Sequence, residues 1–389
     1  MDVSQICQKY EKEVIEWRRE FHMHPELSLQ EAWTSNRIKE ELNELGIPFE
    51  TVAGTHGFVG VVEGARPGKT IALRADMDAL PMLEENDAPY KSRIDGAMHA
   101  CGHDAHVAML LGAGAVLREL RASFKGKILL CFQSAEEIAA GASELIDYLE
   151  SGGGVDQVIA LHVWADIEAG KILLLDGPAM AGAVGMEICV KGRGGHASRP
   201  DLARDPIKPA CEMVLKMASI PSNFYDVLDH SVVYFGKIQG GTMGNIFPDQ
   251  ATISGGCRFF RAEGKEAIVA HARRIAEGVA RAWDVEIEVK TPRASLPPVV
   301  NHHQPVLRAR ELVSLVEGLT LDETDRPLCA SDNYANFLLK YPGFYGFLGA
   351  RNEDKGIVWT QHNTRFDVDE TILRKGYEFM CRYALDFLE

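Results

Sequence analysis

Apolar residues recur at helical spacing in some segments of the chain and form short dense runs in others. Residues 14–20, 34–45 and 105–119 carry apolar side chains three or four positions apart, which predicts helices. The short runs between and after these segments are rich in β-branched residues and predict strands: GFVGVVEG, KTIALRAD, KGKILLCFQ and QVIALHVW. This alternation predicts an α/β fold in which a mainly parallel sheet is covered by helices.

The pattern changes from about residue 183 to residue 292. It predicts a strand, a helix that begins near Asp205-Pro206, two strands, a helix over 263–283 and a closing strand. A β-α-β-β-α-β order is typical of a ferredoxin-like α+β unit. The α/β pattern then resumes, with a strand at YGFLGA and a final helix over 369–388. We therefore predict a larger domain formed by residues 1–182 and 293–389, with residues 183–292 inserted as a smaller one.

Composition narrows the class of protein. The chain is 46% apolar and 25% charged, as in ordinary soluble proteins, and its net charge of -15 without a basic cluster argues against a nucleic-acid partner. The charged N-terminus lacks the apolar core of a signal peptide, and no apolar run reaches the roughly 18 residues of a membrane span. Eight cysteines without a secretion signal are typical of reduced thiols. We expect a cytoplasmic protein with no membrane partner.

Candidate metal ligands and proton acceptors follow the predicted strands, at the edge where open α/β sheets bind ligands. These residues are Asp76, Asp78, His99, Cys101, His103, Glu136, Glu137, His162 and His362. Each has an ordinary structural explanation when taken alone. A histidine in an apolar strand is more often a core residue, and paired glutamates often begin a helix. Their recurrence at successive strand ends favours one shared site.

The stretch MHACGHDAH, residues 98–106, admits three interpretations: a cysteine nucleophile with a histidine base, a structural zinc site, or a catalytic metal site. Cys101 and His103 are two positions apart, so their side chains point the same way in extended chain, as ligands of one ion would. Structural zinc sites usually contain C-x-x-C, which this stretch lacks. In a hydrolytic site, one of Glu136 and Glu137 binds metal while the other accepts a proton from water. We favour the catalytic metal site and retain the nucleophile as an alternative.

The chain resembles the M20 family of metallo-aminoacylases and carboxypeptidases almost from end to end. The resemblance is strongest to the hippurate hydrolases, N-acetyl-amino-acid deacetylases and plant auxin-conjugate hydrolases. The motifs that carry it, in chain order, are RREFHMHPELSLQE, LRADMDALP, MHACGHDAH, QSAEE, LHVW, GRGGHASRP, GGTMGNIFPD and QHNTRFDVDE. This similarity implies a hydrolase that cleaves the amide bond of N-acyl amino acids, with dipeptidase or carboxypeptidase action as the alternative. A non-catalytic binding protein is less consistent with an intact proton acceptor.

The resemblance also assigns expected roles to the metal-binding residues. It implies two divalent ions per subunit, Mn²⁺ or Zn²⁺ with Co²⁺ or Ni²⁺ as alternatives. The expected ligands are Cys101, His103, Glu137, His162 and His362. Glu136 would act as general base and then as acid, and Asp78 would orient a ligand histidine or the base. His99 and His106 are expected beside the ligands rather than among them.

For the smaller domain, the resemblance implies a lid that joins two copies of the chain into a homodimer. His196 would reach the neighbouring subunit's site and polarise the scissile carbonyl group. Asn245 and Arg258 would hold the substrate's carboxylate, although a turn residue and a surface arginine would explain them equally well from the sequence alone.

Two further features bear on the substrate. Phe344, Tyr345 and Trp359 precede His362, and we hypothesise that they line an apolar pocket for an aromatic or branched acyl group; the alternative is that they are core residues. The segment ASDNYANFL, residues 330–338, departs from the family, because relatives usually carry glutamate and aspartate where this chain has Asp332 and Asn333. The family resemblance therefore does not determine the preference for the acyl group or the amino acid.

Overall fold

A computed structural model describes residues 2–226, 229–292 and 295–389. The strands in these ranges are β1 (Phe49–Thr51), β2 (Phe58–Glu63), β3 (Thr70–Asp76), β4 (Lys127–Gln133), β5 (Gln157–Glu168), β6 (Lys171–Leu173), β7 (Gly177–Met180), β8 (Gly182–Lys191), β9 (Gly195–His196), β10 (Ser231–Gly240), β11 (Ile246–Phe247), β12 (Gln250–Phe259), β13 (Glu286–Lys290), β14 (Val299–Asn301), β15 (Thr320–Leu321) and β16 (Gly343–Arg351). The α-helices are α1 (Val3–Met23), α2 (Ala32–Glu44), α3 (His103–Leu120), α4 (Ala142–Ser151), α5 (Ile207–Ala218), α6 (Ile220–Phe224), α7 (Gly264–Trp283), α8 (His303–Leu312), α9 (Ala335–Leu338) and α10 (Thr371–Leu388). Short 3-10 helices cover Glu136–Ile138, Pro200–Leu202, Val313–Leu315 and Glu353–Lys355.

The chain forms two compact units. The first contains Met1–Ala179, Val300–Arg326 and Asn333–Glu389, and the second contains Met180–Val299 and Pro327–Asp332. The separate roles expected for two domains stay a prediction, and the expected boundary at residue 293 lies outside the described residues.

The short segment Pro327–Asp332 differs from expectation, since the predicted larger domain included it and the structure groups it with the second unit. The reason is local bonding. The N–H of Ala181 donates to the carbonyl oxygens of Leu328 and Ala330, at 3.0 and 2.9 Å. No periodic pattern in the sequence indicates a contact of this kind.

The first unit is built on an eight-stranded sheet with the order β1-β2-β4-β3-β5-β16-β6-β15. Its centre is parallel: β3 pairs with β4 and β5, and β5 pairs with β16, all in the same direction. Strands β1 and β2 are antiparallel at one edge. The predicted α/β class with a mainly parallel sheet is confirmed.

Helix α3 lies at the centre of the first unit's core. It contacts β3 and β5 on the sheet and also packs against α1 and α10. Nearly all of its side chains are buried, because Ala, Leu, Val and Met occupy every face of the helix. The sequence pattern placed this helix at residues 105–119, and the structure begins it at His103. The first turn of α3 is therefore held rigidly at the carboxyl end of the parallel strands.

The second unit contains a four-stranded antiparallel sheet with the order β10-β12-β8-β13. Helices α5 and α7 pack on this sheet, and their apolar residues enclose a separate core with those of the strands. The order of elements is the predicted β-α-β-β-α-β, with a short helix α6 after α5. The strand order is that of a ferredoxin-like split βαβ unit.

Within the described ranges, no helix combines the length and the apolar character required to cross a bilayer.

The left-handed backbone at Gly102 generates a stability prediction. Gly102 has φ +89°, and a Cβ atom there would lie 2.2 Å from Cγ2 of Val163. Gly102→Ala is expected to lose about 1–2 kcal/mol of unfolding free energy to the backbone conformation and about 1–3 kcal/mol more to crowding. Chemical denaturation measures both losses together.

The matched control is Gly96→Ala. Gly96 has φ +77°, but a Cβ atom there meets nothing within 4 Å. This variant is expected to lose only the backbone contribution. Equal losses in the two variants would show that crowding at the start of α3 is unimportant.

Candidate metal centre

The first candidate ligand is the His103 side chain, at the start of α3. Its Nδ1 lies 2.9 Å from the backbone oxygen of Asp78 and 3.2 Å from Asp78 Oδ1. Both are acceptors, so Nδ1 carries the proton that it donates, which leaves the lone pair on Nε2. Nε2 is buried without a hydrogen-bond partner among the described residues. A buried ring nitrogen left in this state is suited to bind a metal ion.

A second histidine is oriented by the same principle. His162 lies on β5, and its Nδ1 donates to the backbone oxygen of Val163 at 2.6 Å. Its Nε2 is therefore free to act as a ligand, and it lies 3.5 Å from Sγ of Cys101. Burial, reinforced by His106, holds the pKa of His162 well below its usual value, which keeps the ring neutral.

Glu137 and His362 approach from the other side of Cys101. The N–H of Glu137 donates to Asp78 Oδ2 at 3.0 Å, and its Oε1 is buried without a partner among the described residues. That oxygen lies 3.9 Å from His103 Nε2 and 3.5 Å from His362 Nε2. His362 has φ +61° and is fixed by its N–H, which donates to the backbone oxygen of Ala100 at 2.8 Å.

These side chains satisfy the spacing that a metal ion requires. The ligand atoms of Cys101, His103 and His162 lie within 4.8 Å of one another, and so do those of Cys101, Glu137 and His362. Ligands placed tetrahedrally at 2.0–2.3 Å from one ion are about 3.3–3.8 Å apart, close to the distances found here. Thiolate, imidazole and carboxylate groups together suit a divalent transition metal. The unpartnered atoms and the donor set both fit such an ion.

The electrostatics of the site favour a cation. Burial opposes protonation of His103, but the Asp76 carboxylate and Cys101 outweigh it and hold the pKa of His103 well above its usual value. Burial and Glu137 raise the pKa of the Cys101 thiol well above its usual range, against a smaller opposing effect of His103. A nucleophilic cysteine needs a lowered pKa. The cysteine-nucleophile alternative is therefore disfavoured, whereas metal binding would displace these protons.

Glu136 lies beside the ligands and is held in place. Its side chain is buried, and its Oε1 accepts a hydrogen bond from the N–H of Asn333 at 3.2 Å. One carboxylate oxygen of Glu136 lies within 4.8 Å of the ligand atoms of His103 and Glu137. The site thus brings a carboxylate next to the candidate ligands, as the motif QSAEE predicted.

Asp76 and His106 were both named from the sequence, and the structure brings the two side chains together. Asp76 Oδ1 accepts a hydrogen bond from His106 Nδ1 at 2.6 Å, and His106 Nε2 accepts from the N–H of Val163 at 2.9 Å. The pair thereby anchors the strand that carries His162. The expectation that His106 lies beside the ligands agrees with this geometry, although Asp76, His103 and His106 are also close enough to hold an ion.

Behind the ligand loop lies a buried ionic cluster that explains the motif RREFH. The Arg18 side chain donates to Asp104 at 2.9 Å and to Asp367 at 2.7 Å, and His22 Nδ1 lies 2.7 Å from Asp104. Burial alone would lower the pKa of His22, but Asp104 outweighs it and raises the pKa to about 9. Since Asp104 directly follows His103, the cluster ties α1 to the first turn of α3. His99 is also buried, with both ring nitrogens unpartnered among the described residues.

The apolar acyl pocket hypothesis is wrong for two of its three residues. Phe344 and Tyr345 are fully buried in the core, where the Phe344 ring lies 4.9 Å from that of Tyr383. They point into the core because every residue of β16 except the last is buried. Trp359 is 41% exposed, so only this residue remains available to contact a ligand.

The second unit contains the other three expected site residues. His196 is exposed on β9, and its Nδ1 accepts hydrogen bonds from the N–H and the hydroxyl of Ser198 at 3.1 and 2.9 Å. The neutral ring then carries its proton on Nε2. The backbone oxygen of Asn245 accepts from the N–H of Ala197 at 3.0 Å, next to His196. Arg258 lies on β12 and donates to the Ser331 hydroxyl at 2.5 Å.

A model of Peptidase family M20/M25/M40 matches residues 72–386. The chain belongs to this family. An N-acetylcysteine deacetylase of Bacillus subtilis is 36% identical over 379 residues, which cover 97% of each chain. Thermostable carboxypeptidase 2 of Saccharolobus solfataricus is 37% identical over 396 residues, 100% of this chain and 99% of the relative.

A solved structure from the family has a similar fold over nearly the whole chain. The YXEP protein of Bacillus subtilis, described as a dinuclear metal-binding peptidase of the M20 family, aligns with a TM-score of 0.86 at 32% identity. The alignment covers 98% of this chain and 99% of that one. The M20 resemblance inferred from the motifs is therefore confirmed, and so is the expected fold.

Metal binding should stabilise the fold through these ligands. Zn²⁺ or Mn²⁺ added to chelator-treated protein is expected to raise the free energy of unfolding, by about 2.7 kcal/mol at a free concentration 100 times Kd. The gain should be largely lost in Cys101→Ala, because Cys101 belongs to both ligand groups. Denaturation with and without metal measures it.

Cys131→Ala is the matched control. Cys131 is a buried free thiol on β4 and belongs to neither ligand group. This variant loses stability through its cavity but should keep the full gain on adding metal. A full gain in Cys101→Ala would contradict the assignment.

Proposed function

We propose that this chain is a metal-dependent amidohydrolase that cleaves N-acyl amino acids into a carboxylic acid and a free amino acid. The observation that carries the proposal is a pair of buried ligand atoms, His103 Nε2 and Glu137 Oε1, which have no hydrogen-bond partner among the described residues and lie beside the Glu136 carboxylate. A binding module has no need of a proton acceptor at that position. The deacetylase and carboxypeptidase names of close relatives agree with hydrolysis of amide bonds.

The two ligand groups that meet at Cys101 support two divalent ions per subunit. We propose that Cys101, His103, Glu137, His162 and His362 hold them. A thiolate ligand favours Zn²⁺, whereas imidazole and carboxylate also accept Mn²⁺, Co²⁺ or Ni²⁺. The dinuclear description of the YXEP protein agrees with the count of two.

In the proposed reaction, side chains of this protein transfer the proton and hold the metal ligands in place. Bound divalent ions supply Lewis acidity and make water more acidic. Glu136 accepts a proton from the attacking water and returns it to the amine nitrogen as the carbon–nitrogen bond breaks. Asp78 keeps the His103 ring and the Glu137 backbone in place through its hydrogen bonds to His103 Nδ1 and the N–H of Glu137.

Substrate recognition is proposed for the second unit. His196 presents an Nε2–H donor that suits a carbonyl oxygen on which negative charge develops. Arg258 and Asn245 would hold the substrate's carboxylate. The bond from Arg258 to Ser331 supports this for the arginine, because it fixes the direction of the guanidinium group.

A carboxypeptidase is the second candidate, favoured by the 37% identical relative of that name. The two reactions differ in what lies on the acyl side of the bond. An aminoacylase accepts a simple acyl group, while a carboxypeptidase or dipeptidase accepts an amino acid or peptide there. The expectation of a cytoplasmic location stays a prediction.

Activity measurements decide between these candidates. The purified protein is expected to hydrolyse N-acetyl and N-benzoyl amino acids with Mn²⁺ or Zn²⁺ and to lose activity on chelation. Glu136→Gln should lower kcat by about 10²–10⁴, since the amide cannot accept the proton. The release of free amino acid measures turnover.

Glu144→Gln serves as the control, because Glu144 is an exposed carboxylate on α4. It should leave kcat unchanged. Cleavage of free dipeptides or longer peptides alone would move the protein to the second candidate, and tight binding without metal-dependent turnover would refute both.

We further propose that the second unit forms a homodimer through β10. This strand lies at the edge of its sheet, and Val232, Tyr234 and, beyond a β-bulge, Ile238 are 46–49% exposed. An exposed apolar edge strand is a template for pairing with another strand. A second copy of β10, related by a two-fold axis, would cover it.

Lysine at two of these positions should separate the subunits. Tyr234→Lys combined with Ile238→Lys is expected to sediment as a monomer and to lose about 10²–10³ in kcat, if His196 acts on the partner's substrate. Leu315→Lys, at an exposed leucine of the first unit, should remain dimeric. A wild-type monomer would refute the proposal, and an active monomeric variant would refute the role of His196 across the interface.

A further inference from the structure

The turn that carries Glu136 and Glu137 is held in a costly backbone conformation. It is a single 3-10 turn, flanked by Ala135 and Ala139, which both have φ +60°. A residue other than glycine in this left-handed region costs of order 1 kcal/mol or more. Such a conformation persists only when surrounding contacts determine it. The contacts on this turn therefore control the position of the proposed base.

Two contacts hold the beginning of the turn. Oε1 of the buried Glu31 accepts a hydrogen bond from the N–H of Ala135 at 2.7 Å. Asp78 Oδ2 accepts from the N–H of Glu137 at 3.0 Å. Neither of these contacts reaches the end of the turn or the side chain of Glu136.

Asn333 contacts both the end of the turn and the Glu136 side chain, and Gln133 Nε2 also donates to the Ala140 oxygen, at 3.3 Å. The side-chain Nδ2 of Asn333 donates to the backbone oxygen of Ala140 at 2.8 Å, just beyond the turn. Its backbone N–H donates to Glu136 Oε1 at 3.2 Å. The residue is fully buried, so water cannot replace either bond.

The direction of the Asn333 amide follows from its neighbours. Arg74 can only donate, and its Nε donates to Gln133 Oε1 at 2.9 Å. Gln133 therefore turns its Nε2 toward Asn333 and donates to Oδ1 at 2.8 Å. Nδ2 of Asn333 is left facing the Ala140 oxygen, which can only accept. The four groups thus form one chain of matched donors and acceptors that begins at a buried arginine.

We propose that Asn333 is a positioning residue for Glu136 and that this chain requires its amide. The proposal rests on the proposed function of Glu136 as general base. An aspartate at 333 would place a carboxylate oxygen against the Ala140 oxygen with no proton between them. That contact would release the end of the strained turn and shift Glu136 relative to the substrate.

Kinetics with Asn333→Asp and Asn333→Ala test the proposal. Both variants are expected to lower kcat by about 10- to 100-fold, since misplacing a reacting group by 1 Å has an effect of that size. KM and the affinity for Zn²⁺ should stay within about twofold, because Asp78 still holds the N–H of Glu137 and no metal ligand is substituted. Asn333→Ala removes the amide without adding a charge, so it remains informative if the aspartate variant is poorly folded.

Asn301→Asp is the matched control. Asn301 is a buried asparagine whose Nδ2 donates to the backbone oxygens of Leu175 and Tyr345, at 2.9 and 3.0 Å. The substitution creates the same mismatch between a carboxylate and carbonyl oxygens, without a bond to Glu136. It is expected to lower the melting temperature but to keep kcat near that of the wild type. Equal kcat in the control and the Asn333 variants would overturn the proposal.

A double-mutant cycle separates positioning from a general structural role. In the Glu136→Gln background, Asn333→Asp should lower the residual turnover by less than about twofold, because its effect acts through the base. A further loss as large as in the wild-type background would overturn the proposal.

Hydrogen exchange supplies a readout that does not depend on activity. The amide protons of Ala139 and Ala140 bond within the turn, to the backbone oxygens of Glu136 and Ala135. They should exchange faster in both Asn333 variants than in Asn301→Asp. Unchanged exchange would overturn the proposal. If the wild type hydrolyses no amide at all, the proposed function fails, while exchange still decides whether Asn333 holds the turn.

Discussion

The hydrogen bonds that Asp78 makes determine the geometry of the whole centre. Its backbone oxygen and one carboxylate oxygen accept a hydrogen bond from His103 Nδ1, so that the lone pair of Nε2 faces the site. Its other carboxylate oxygen accepts a hydrogen bond from the N–H of Glu137. Asp78, just beyond β3, thus orients two candidate ligands: His103 at the start of α3 and Glu137 beyond β4. This is achieved because β3 and β4 are parallel neighbours whose carboxyl ends lie at one edge of the sheet. Although burial opposes ionisation of Asp78, the bonds from His103 lower its pKa, so it stays an acceptor.

Support for this arrangement extends well beyond the ligands. The buried guanidinium of Arg18 needs anionic partners, and it finds them in Asp104, next to His103, and in Asp367, just before α10. The Arg74 guanidinium is likewise buried and paired with Asp76, and through Gln133 it orders Asn333. Removing one partner from such a cluster leaves an uncompensated buried charge, which is strongly destabilising. The first and last helices of the chain are therefore coupled to the metal centre although they contribute no ligand.

Sequence patterns were most successful where a single local rule decides the structure. Helix α3, the parallel strands and the β-α-β-β-α-β order of the second unit all follow from apolar periodicity, because burial of one face or of a whole element leaves that signature. Phe344 and Tyr345 were misjudged as pocket residues, since an apolar strand next to a ligand histidine looks the same whether it lines a pocket or the core. Pro327–Asp332 was placed in the wrong unit, because backbone hydrogen bonds to Ala181 leave no periodic trace.

The kinds of candidate ligand and their order along the chain were predictable from the sequence, because a divalent metal site restricts residue type more strongly than most structural roles do. The sequence also established the M20 resemblance, through motifs that cover nearly the whole chain. The tertiary structure alone shows which ring nitrogen of His103 and of His162 faces the candidate centre. It also decided that Asn333, far along the chain from β4, holds the turn of Glu136. These outcomes depend on hydrogen-bond directions between residues distant in sequence, and only the packed fold supplies them.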